Sequence, residues 1–214
     1  MTMKIDVATV MTAAPVMPVL VIERVEDAVP LALALKAGGL KVLEVTLRTP
    51  VALEAIRAIA SQVDDVIVGA GTVTRVEEFA QVRDAGAVFA ISPGSTPALL
   101  EAGKTSGLAY LPAISTVSEL MCGLEAGYEA FKFFPAEVAG GPLMLKAIAG
   151  PFPQVRFCPT GGIGPINFMN YLKLPNVSCV GGSWVVPAEK LRQQDWEGIT
   201  ELAAAAVAQS NEPA

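Results

Sequence analysis

The chain has 214 residues, 52% of them hydrophobic and 17% charged, with a net charge of −6 and no histidine. That length supports one large domain with a sizeable core, and the apolar content suits strands buried on both faces or surface hidden in an oligomer. An acidic balance without a basic cluster argues against nucleic-acid binding, and a histidine-based metal site is excluded, which leaves proton transfer to carboxylates, lysine, tyrosine or water.

Residues 7–22 imitate the apolar stretch of a signal peptide, but Pro15 and Pro18 interrupt it, Lys4 is its only basic flank and Asp6 precedes it. It reads as mature protein. Prolines also keep the longest uncharged runs short of a membrane span, so a cytoplasmic protein without a membrane partner is expected. Cys122, Cys158 and Cys179 are scattered among apolar neighbours and read as reduced core residues.

Short apolar or β-branched runs occupy residues 19–22, 42–48, 66–72, 88–92, 109–112, 131–134, 156–160 and 178–182, recurring every 21 to 25 residues. Helical spacing fills the intervals, at residues 27–37, 50–62, 76–85, 97–103 and 117–126, then from near Pro142, from Pro165, and over 195–208. Gly38, Gly86 and Gly127 stand where helices end, and Pro50, Pro97 and Pro165 where they begin. Thr116 and Glu119 have the spacing of a capping box. Eight strands, each followed by a helix, predict an α/β fold, a (β/α)8 TIM barrel. It forms one domain over residues 1–214: an N-terminal helical cap at 1–17, barrel strands and helices at 18–186, and C-terminal helices at 187–214. An open doubly wound sheet is the alternative, but no G-x-G-x-x-G fingerprint follows the first strand.

In such a barrel, functional groups gather at the C-terminal ends of the strands. On the second strand Glu44 and Arg48 share one parity. Glu44 then points inward, where an unpaired carboxylate is costly, and Arg48 stands at the strand end, able to chelate a carboxylate with two parallel hydrogen bonds. The third strand closes on Gly69-Ala70-Gly71-Thr72, and the fourth on Ser92-Pro93-Gly94. On the sixth, Phe131-Lys132-Phe133-Phe134-Pro135, Lys132 and Phe134 share one face, while Phe131 and Phe133 share the other. A lysine among phenylalanines must find a partner or lose its charge, and a neutral amine there can attack a ketone to form a Schiff base. The other reading is a lysine snorkelling to the sheet edge, or a purely structural Glu44–Lys132 ion pair. Thr160-Gly161-Gly162-Ile163-Gly164 and Gly181-Gly182-Ser183 end the last two strands. Such turns bring backbone N–H groups to an anion, or simply turn tightly.

The runs Glu44-Val45-Thr46-Leu47-Arg48, Gly69-Ala70-Gly71-Thr72, Ile91-Ser92-Pro93-Gly94 and Phe131-Lys132-Phe133-Phe134-Pro135-Ala136 together resemble the 2-keto-3-deoxy-6-phosphogluconate (KDPG) aldolases. So do Phe157-Cys158-Pro159-Thr160-Gly161-Gly162-Ile163 and Gly181-Gly182-Ser183-Trp184, and the similarity extends from about Pro18 to beyond Trp184. The resemblance implies a class I aldolase of the Entner–Doudoroff pathway, a homotrimer that needs no metal or cofactor beyond a covalent Schiff base. Its substrate would be a phosphorylated keto acid, KDPG, cleaved to pyruvate and glyceraldehyde 3-phosphate. A second would be 4-hydroxy-2-oxoglutarate, cleaved to pyruvate and glyoxylate. By matching motif, Lys132 would be the Schiff-base lysine and Glu44 the general acid/base. Arg48 and Thr72 would hold the pyruvyl carboxylate, with Pro93, Phe134 and Thr160 lining its pocket. Gly161, Gly162, Gly182 and Ser183 would take the phosphate. Some relatives carry an arginine just before the first-strand proline, where this chain has Pro15-Val16-Met17. Competing readings are another phosphate-binding barrel enzyme, such as an isomerase or related aldolase, and a non-catalytic sensor of sugar-acid phosphates. An isomerase or a metal-dependent aldolase does not account for Lys132 among phenylalanines, and a sensor would bind substrate without releasing pyruvate.

Overall fold

The computed structural model describes residues 5–211, so the first four residues of the expected cap and the last three of the C-terminal segment lie outside the described residues. Helix α1 (Val7–Thr12) leads into β1 (Val16–Leu20), followed by α2 (Ala28–Ala37), β2 (Val42–Thr46), α3 (Ala52–Gln62) and β3 (Ile67–Gly71). Next come α4 (Val76–Asp84), β4 (Phe89–Ile91), α5 (Pro97–Thr105), β5 (Ala109–Leu111), β6 (Ala113–Ile114) and α6 (Val117–Glu125). The chain continues through β7 (Ala130–Phe133), α7 (Gly141–Ala149), β8 (Arg156–Pro159), α8 (Phe168–Leu172) and β9 (Val180–Gly182), ending in α9 (Ala188–Arg192) and α10 (Trp196–Ser210).

Local chemistry explains most of these boundaries. At the start of α6 the Thr116 hydroxyl accepts from the Glu119 N–H at 3.3 Å, and Glu119 accepts from the Thr116 N–H at 2.9 Å, the reciprocal box its spacing predicts. Gly86 and Gly127 follow α4 and α6 with φ of +98° and +89°, a backbone that side chains with a Cβ resist. Gly38 ends α2 for a packing reason as well. A Cβ there would lie 2.5 Å from Ala203 on α10, the helix that covers α2.

The closed eight-stranded (β/α)8 barrel is not what forms. Among the described residues nine parallel strands divide into a six-stranded sheet, ordered β5-β4-β3-β2-β1-β9, and a three-stranded sheet, ordered β6-β7-β8. The fifth run splits because Pro112 has no N–H to give to a ladder, so β5 joins β4 while β6 pairs with β7. Between β8 and the β9 region the pairing shrinks to isolated bridges, Phe157 to Val177 and Thr160 to Gly181. The first strand also begins at Val16, earlier than the run at 19–22 suggests.

The core lies between strands and helices. Phe131 and Phe133 are fully buried, each with its ring centroid 6.5 Å from that of Phe157, on the face opposite Lys132 that strand alternation predicts. Cys158 and Cys179 are buried as expected, but Cys122 is exposed: on α6 it is Leu120 and Gly123 that turn inward, and Cys122 faces away. Helix α1 borders the N-terminal ends of β5 and β7, where Val7 and Ala8 meet Leu108 and Ala130 around a shallow recess.

Candidate active site

β2 is buried along its whole length, and Glu44 in its middle is 1% exposed. Its carboxylate has room because the neighbouring β3 residue is Gly71; a Cβ at that position would collide with the Glu44 carboxylate. Lys132 on β7 is 5% exposed, and its Nζ donates to Glu44 Oε1 at 2.9 Å. The same ammonium sits 5.6 Å from the centroid of the Phe134 ring. Two charges withdrawn from water recover part of their lost hydration through this bond and the ring face, but a buried pair is at best a weak stabiliser. The snorkelling lysine is overturned, since the amine stays inside on its carboxylate.

A cavity of about 860 Å³ opens beside this pair, a size suited to a small metabolite. Of the residues singled out in the sequence, Arg48, Phe134, Thr160, Gly161, Gly162, Gly182 and Ser183 line it. Lys132 and Glu44 are not among the lining residues: both are buried, and the link to the cavity is Phe134, which lines it and whose ring centroid is 5.6 Å from Lys132 Nζ. Thr72 and Pro93 are not among the lining residues. Thr72 instead holds φ +60°, rarely adopted by a β-branched residue, at the end of β3 where the Val73 N–H bonds to the Ile91 carbonyl at 3.0 Å. Arg48 is exposed and has no ion-pair partner among the described residues, so its guanidinium is available to a ligand.

Thr160 marks the cavity chemically. Its hydroxyl is buried against Gly181 and has no hydrogen-bond partner among the described residues. Leaving such a group unsatisfied costs about 1–3 kcal/mol, which a substrate oxygen would offset. The turn after Thr160 has φ of +105° at Gly161 and +75° at Gly162. Its carbonyls are held by protein: Ala136 N–H to Thr160 O at 2.8 Å, Glu137 N–H to Gly161 O at 3.1 Å, and Asn167 Nδ2 to Gly162 O at 3.1 Å. A Cβ on Gly162 would meet Glu137 Cγ at 2.7 Å, and one on Gly182 would strike the Trp184 ring. Part of the demand for glycine therefore comes from protein neighbours rather than from an approaching anion.

Below the pair, hydrogen bonding to Cys158 and burial push the Cys179 thiol well above its ordinary value, with Glu44 adding to the effect. A thiol that keeps its proton places no second anion beside Glu44. Sequence reasoning assigned nothing to the segment after β1, yet Val21, Glu23, Arg24 and Asp27 line the cavity, as do Trp184 and Arg192. The signal was present: charged Glu23-Arg24 directly follows an apolar run. Among the described residues no cluster of three metal-ligating side chains occurs, and no helix is long and apolar enough to cross a membrane.

Comparison with known proteins adds three findings. The family model for KDPG and KHG aldolase matches residues 7–202. The 2-dehydro-3-deoxy-phosphogluconate aldolase of Pseudoalteromonas atlantica is 58% identical over 205 residues, 96% of this chain and 95% of that one. The KHG/KDPG aldolase of Escherichia coli strain K12 is 56% identical over 204 residues, 95% and 96% of the two chains. Among solved structures, the KDPG aldolase of Legionella pneumophila, with pyruvate captured at low pH as a covalent carbinolamine intermediate, superposes with a TM-score of 0.93. It shares 56% identity and covers 95% of this chain and 98% of its own. The Zymomonas mobilis aldolase with 3-phosphoglycerate gives a TM-score of 0.91 at 52% identity, covering 95% of each chain.

Proposed function

The chain belongs to the KDPG and KHG aldolase family, and from that membership we propose that Lys132 and Glu44 are the catalytic pair of its class I reaction. The enzyme is a lyase: it cleaves KDPG to pyruvate and glyceraldehyde 3-phosphate, and 4-hydroxy-2-oxoglutarate to pyruvate and glyoxylate. The observation that carries the residue assignment is the buried 2.9 Å contact between Lys132 Nζ and Glu44 Oε1 beside the cavity.

That contact supplies the first step. A proton passing from Nζ to Oε1 leaves a neutral amine and a carboxylic acid, and the amine attacks the C2 ketone of the substrate. Glu44 returns the proton as the carbinolamine loses water, giving a protonated imine on Lys132. The imine takes the electrons of the breaking C3–C4 bond, so an enamine forms instead of a carbanion, and no metal is needed as an electron sink. Glu44, now ionised, accepts the C4 hydroxyl proton as the aldehyde departs. It then delivers a proton to C3, and water releases pyruvate. Arg48 holds the C1 carboxylate, the partnerless Thr160 hydroxyl donates to a substrate oxygen, and the Phe134 ring packs on the pyruvyl group. Thr72 and Pro93, which the resemblance also assigns to this end, are not among the residues lining the cavity.

Phosphate on the aldehyde half falls to the Gly161-Gly162 and Gly182-Ser183 turns. Ser183→Ala, which deletes one hydroxyl on the cavity wall, should lower kcat/KM for KDPG about 5- to 10-fold and spare 4-hydroxy-2-oxoglutarate, which has no phosphate. Equal losses on both substrates would move Ser183 out of the phosphate site. For the reaction itself, the purified protein should release pyruvate from KDPG, undiminished by a chelator. Tight binding without pyruvate release would make it a sensor.

We also assign a homotrimer in the cytoplasm. Val138, Leu143 and Ile166, on neighbouring segments around α7 and α8, are 87%, 77% and 97% exposed, apolar surface that a second subunit would cover. Free cysteines suit a reducing compartment. Light scattering on the eluting protein should give three times the chain mass of 22.2 kDa; a monomer mass at micromolar concentration overturns the assembly.

A further inference from the structure

The cavity reaches past the residues that the mechanism uses. In the six-stranded sheet β1 lies between β2 and β9, so the segment leaving β1 stands between Arg48, beyond β2, and Ser183, beyond β9. Arg24 on that segment lines the cavity with a side chain 46% exposed.

Its guanidinium is aimed. Nε donates to Asp27 Oδ2 at 2.8 Å, and Nη2 donates to Asp27 Oδ1 at 2.9 Å. Asp27 is itself 3% exposed, and its Oδ1 also accepts from Gln194 Nε2 at 2.9 Å, across the chain from between α9 and α10. Gln194 holds φ +55°, a left-handed backbone that residues other than glycine seldom adopt. A strained residue thus holds the buried carboxylate that in turn holds the arginine. Arg192, which lines the same cavity, shows the contrast. Among the described residues it pairs only with Glu189 on its own helix, both well exposed, at 66% and 62%. Glu23 also borders the cavity but forms no ion pair with Arg24 among the described residues. A guanidinium has five N–H donors in a rigid fork, and Asp27 engages one edge. Nη1 and the second Nη2 hydrogen remain for an anion on another side.

We propose that Arg24, aimed by Asp27 and Gln194, is a specificity-determining residue that binds the phosphate dianion on the aldehyde half of the substrate. This rests on the aldolase reading above. It adds a cation to a phosphate site otherwise made of backbone turns and the Ser183 hydroxyl.

The test is the ratio of kcat/KM for KDPG to that for 4-hydroxy-2-oxoglutarate, measured by pyruvate release in the parent enzyme, Arg24→Gln, Arg24→Lys and Gln194→Ala. Arg24→Gln should lower the ratio about 10- to 100-fold, the worth of a charge-assisted hydrogen bond, chiefly through KM for KDPG. Arg24→Lys keeps a charge without the fork and should fall between parent and Arg24→Gln. Gln194→Ala should lower the ratio modestly, because it loosens Asp27 without touching substrate. Raising the ionic strength should narrow the gap between parent and Arg24→Gln. A ratio within about twofold of the parent in Arg24→Gln overturns the proposal; should that variant not fold, an unchanged ratio in both Arg24→Lys and Gln194→Ala does so instead. A parent enzyme that releases no pyruvate from either substrate removes the aldolase reading itself, and Arg24 with it.

Discussion

Lys132→Met should abolish turnover, by at least about 10⁴-fold, since loss of a single proton-transfer group can already cost that much and here the covalent electron sink goes as well. Methionine nearly matches the lysine stem in volume, so the packing beside Phe134 is kept and only the amine is lost. The deletion leaves Glu44 buried at 1% exposure without its 2.9 Å partner. Removing one partner of a buried pair costs on the order of 3–5 kcal/mol, which lowers the denaturant midpoint, but the preserved packing keeps the fold. Circular dichroism and a denaturant midpoint should therefore show a folded protein with no activity. Borohydride reduction of the parent enzyme in the presence of pyruvate should fix the label on Lys132. Exposed Lys104, paired with Glu101, and exposed Lys146 serve as internal controls. Label on either of those, or full activity in the Lys132→Met variant, would end the Schiff-base assignment.

Glu44→Gln should cost about 10² to 10⁴ in turnover, the usual worth of general acid–base catalysis. Glutamine keeps the shape and can still accept from Lys132 Nζ through its amide oxygen, but it cannot take the proton across that bond. Three steps suffer together: freeing the amine, dehydrating the carbinolamine and removing the C4 hydroxyl proton. Imine formation with pyruvate should survive at a reduced rate, because water can carry the proton slowly, so trapping at Lys132 persists while steady-state turnover collapses. Single-turnover kinetics separates the two. A Glu44→Gln enzyme running at the parental rate would reduce Glu44 to a structural counter-ion.

What was legible in the sequence was local. Alternating faces put Phe131 and Phe133 in the core with Lys132 on the other side, because side chains on a strand alternate whatever the strand packs against. Thr116 and Glu119 announced the start of α6 because both halves of a capping box lie within one turn. Motif resemblance went further and named seven residues of the cavity wall: Arg48, Phe134, Thr160, Gly161, Gly162, Gly182 and Ser183. Strand pairing was another matter. The period of the runs counted eight strands where nine form, because Pro112 divides one between two sheets, and only bridges join β8 to the β9 region. Those outcomes depend on backbone partners that no run carries within itself.

The same distinction separates the residues that line the cavity from those that do not. Gly162 and Gly182 were assigned to the phosphate by resemblance, yet the neighbours that exclude a Cβ, Glu137 and the Trp184 ring, emerge only in three dimensions. Thr72 and Pro93 sit at the expected strand ends without lining the cavity, and Arg24 lines it from an end that sequence reasoning passed over. Glu44 and Lys132 are 88 positions apart, and Asp27 and Gln194 are 167 apart. By itself the sequence determined the strand and helix periods, their caps and the chemical types of the candidate groups, since those follow from interactions within a few residues. Only the tertiary structure decided which strand ends meet, which amine finds which carboxylate and where a guanidinium is aimed, because these contacts join distant segments whose meeting depends on how the whole core packs.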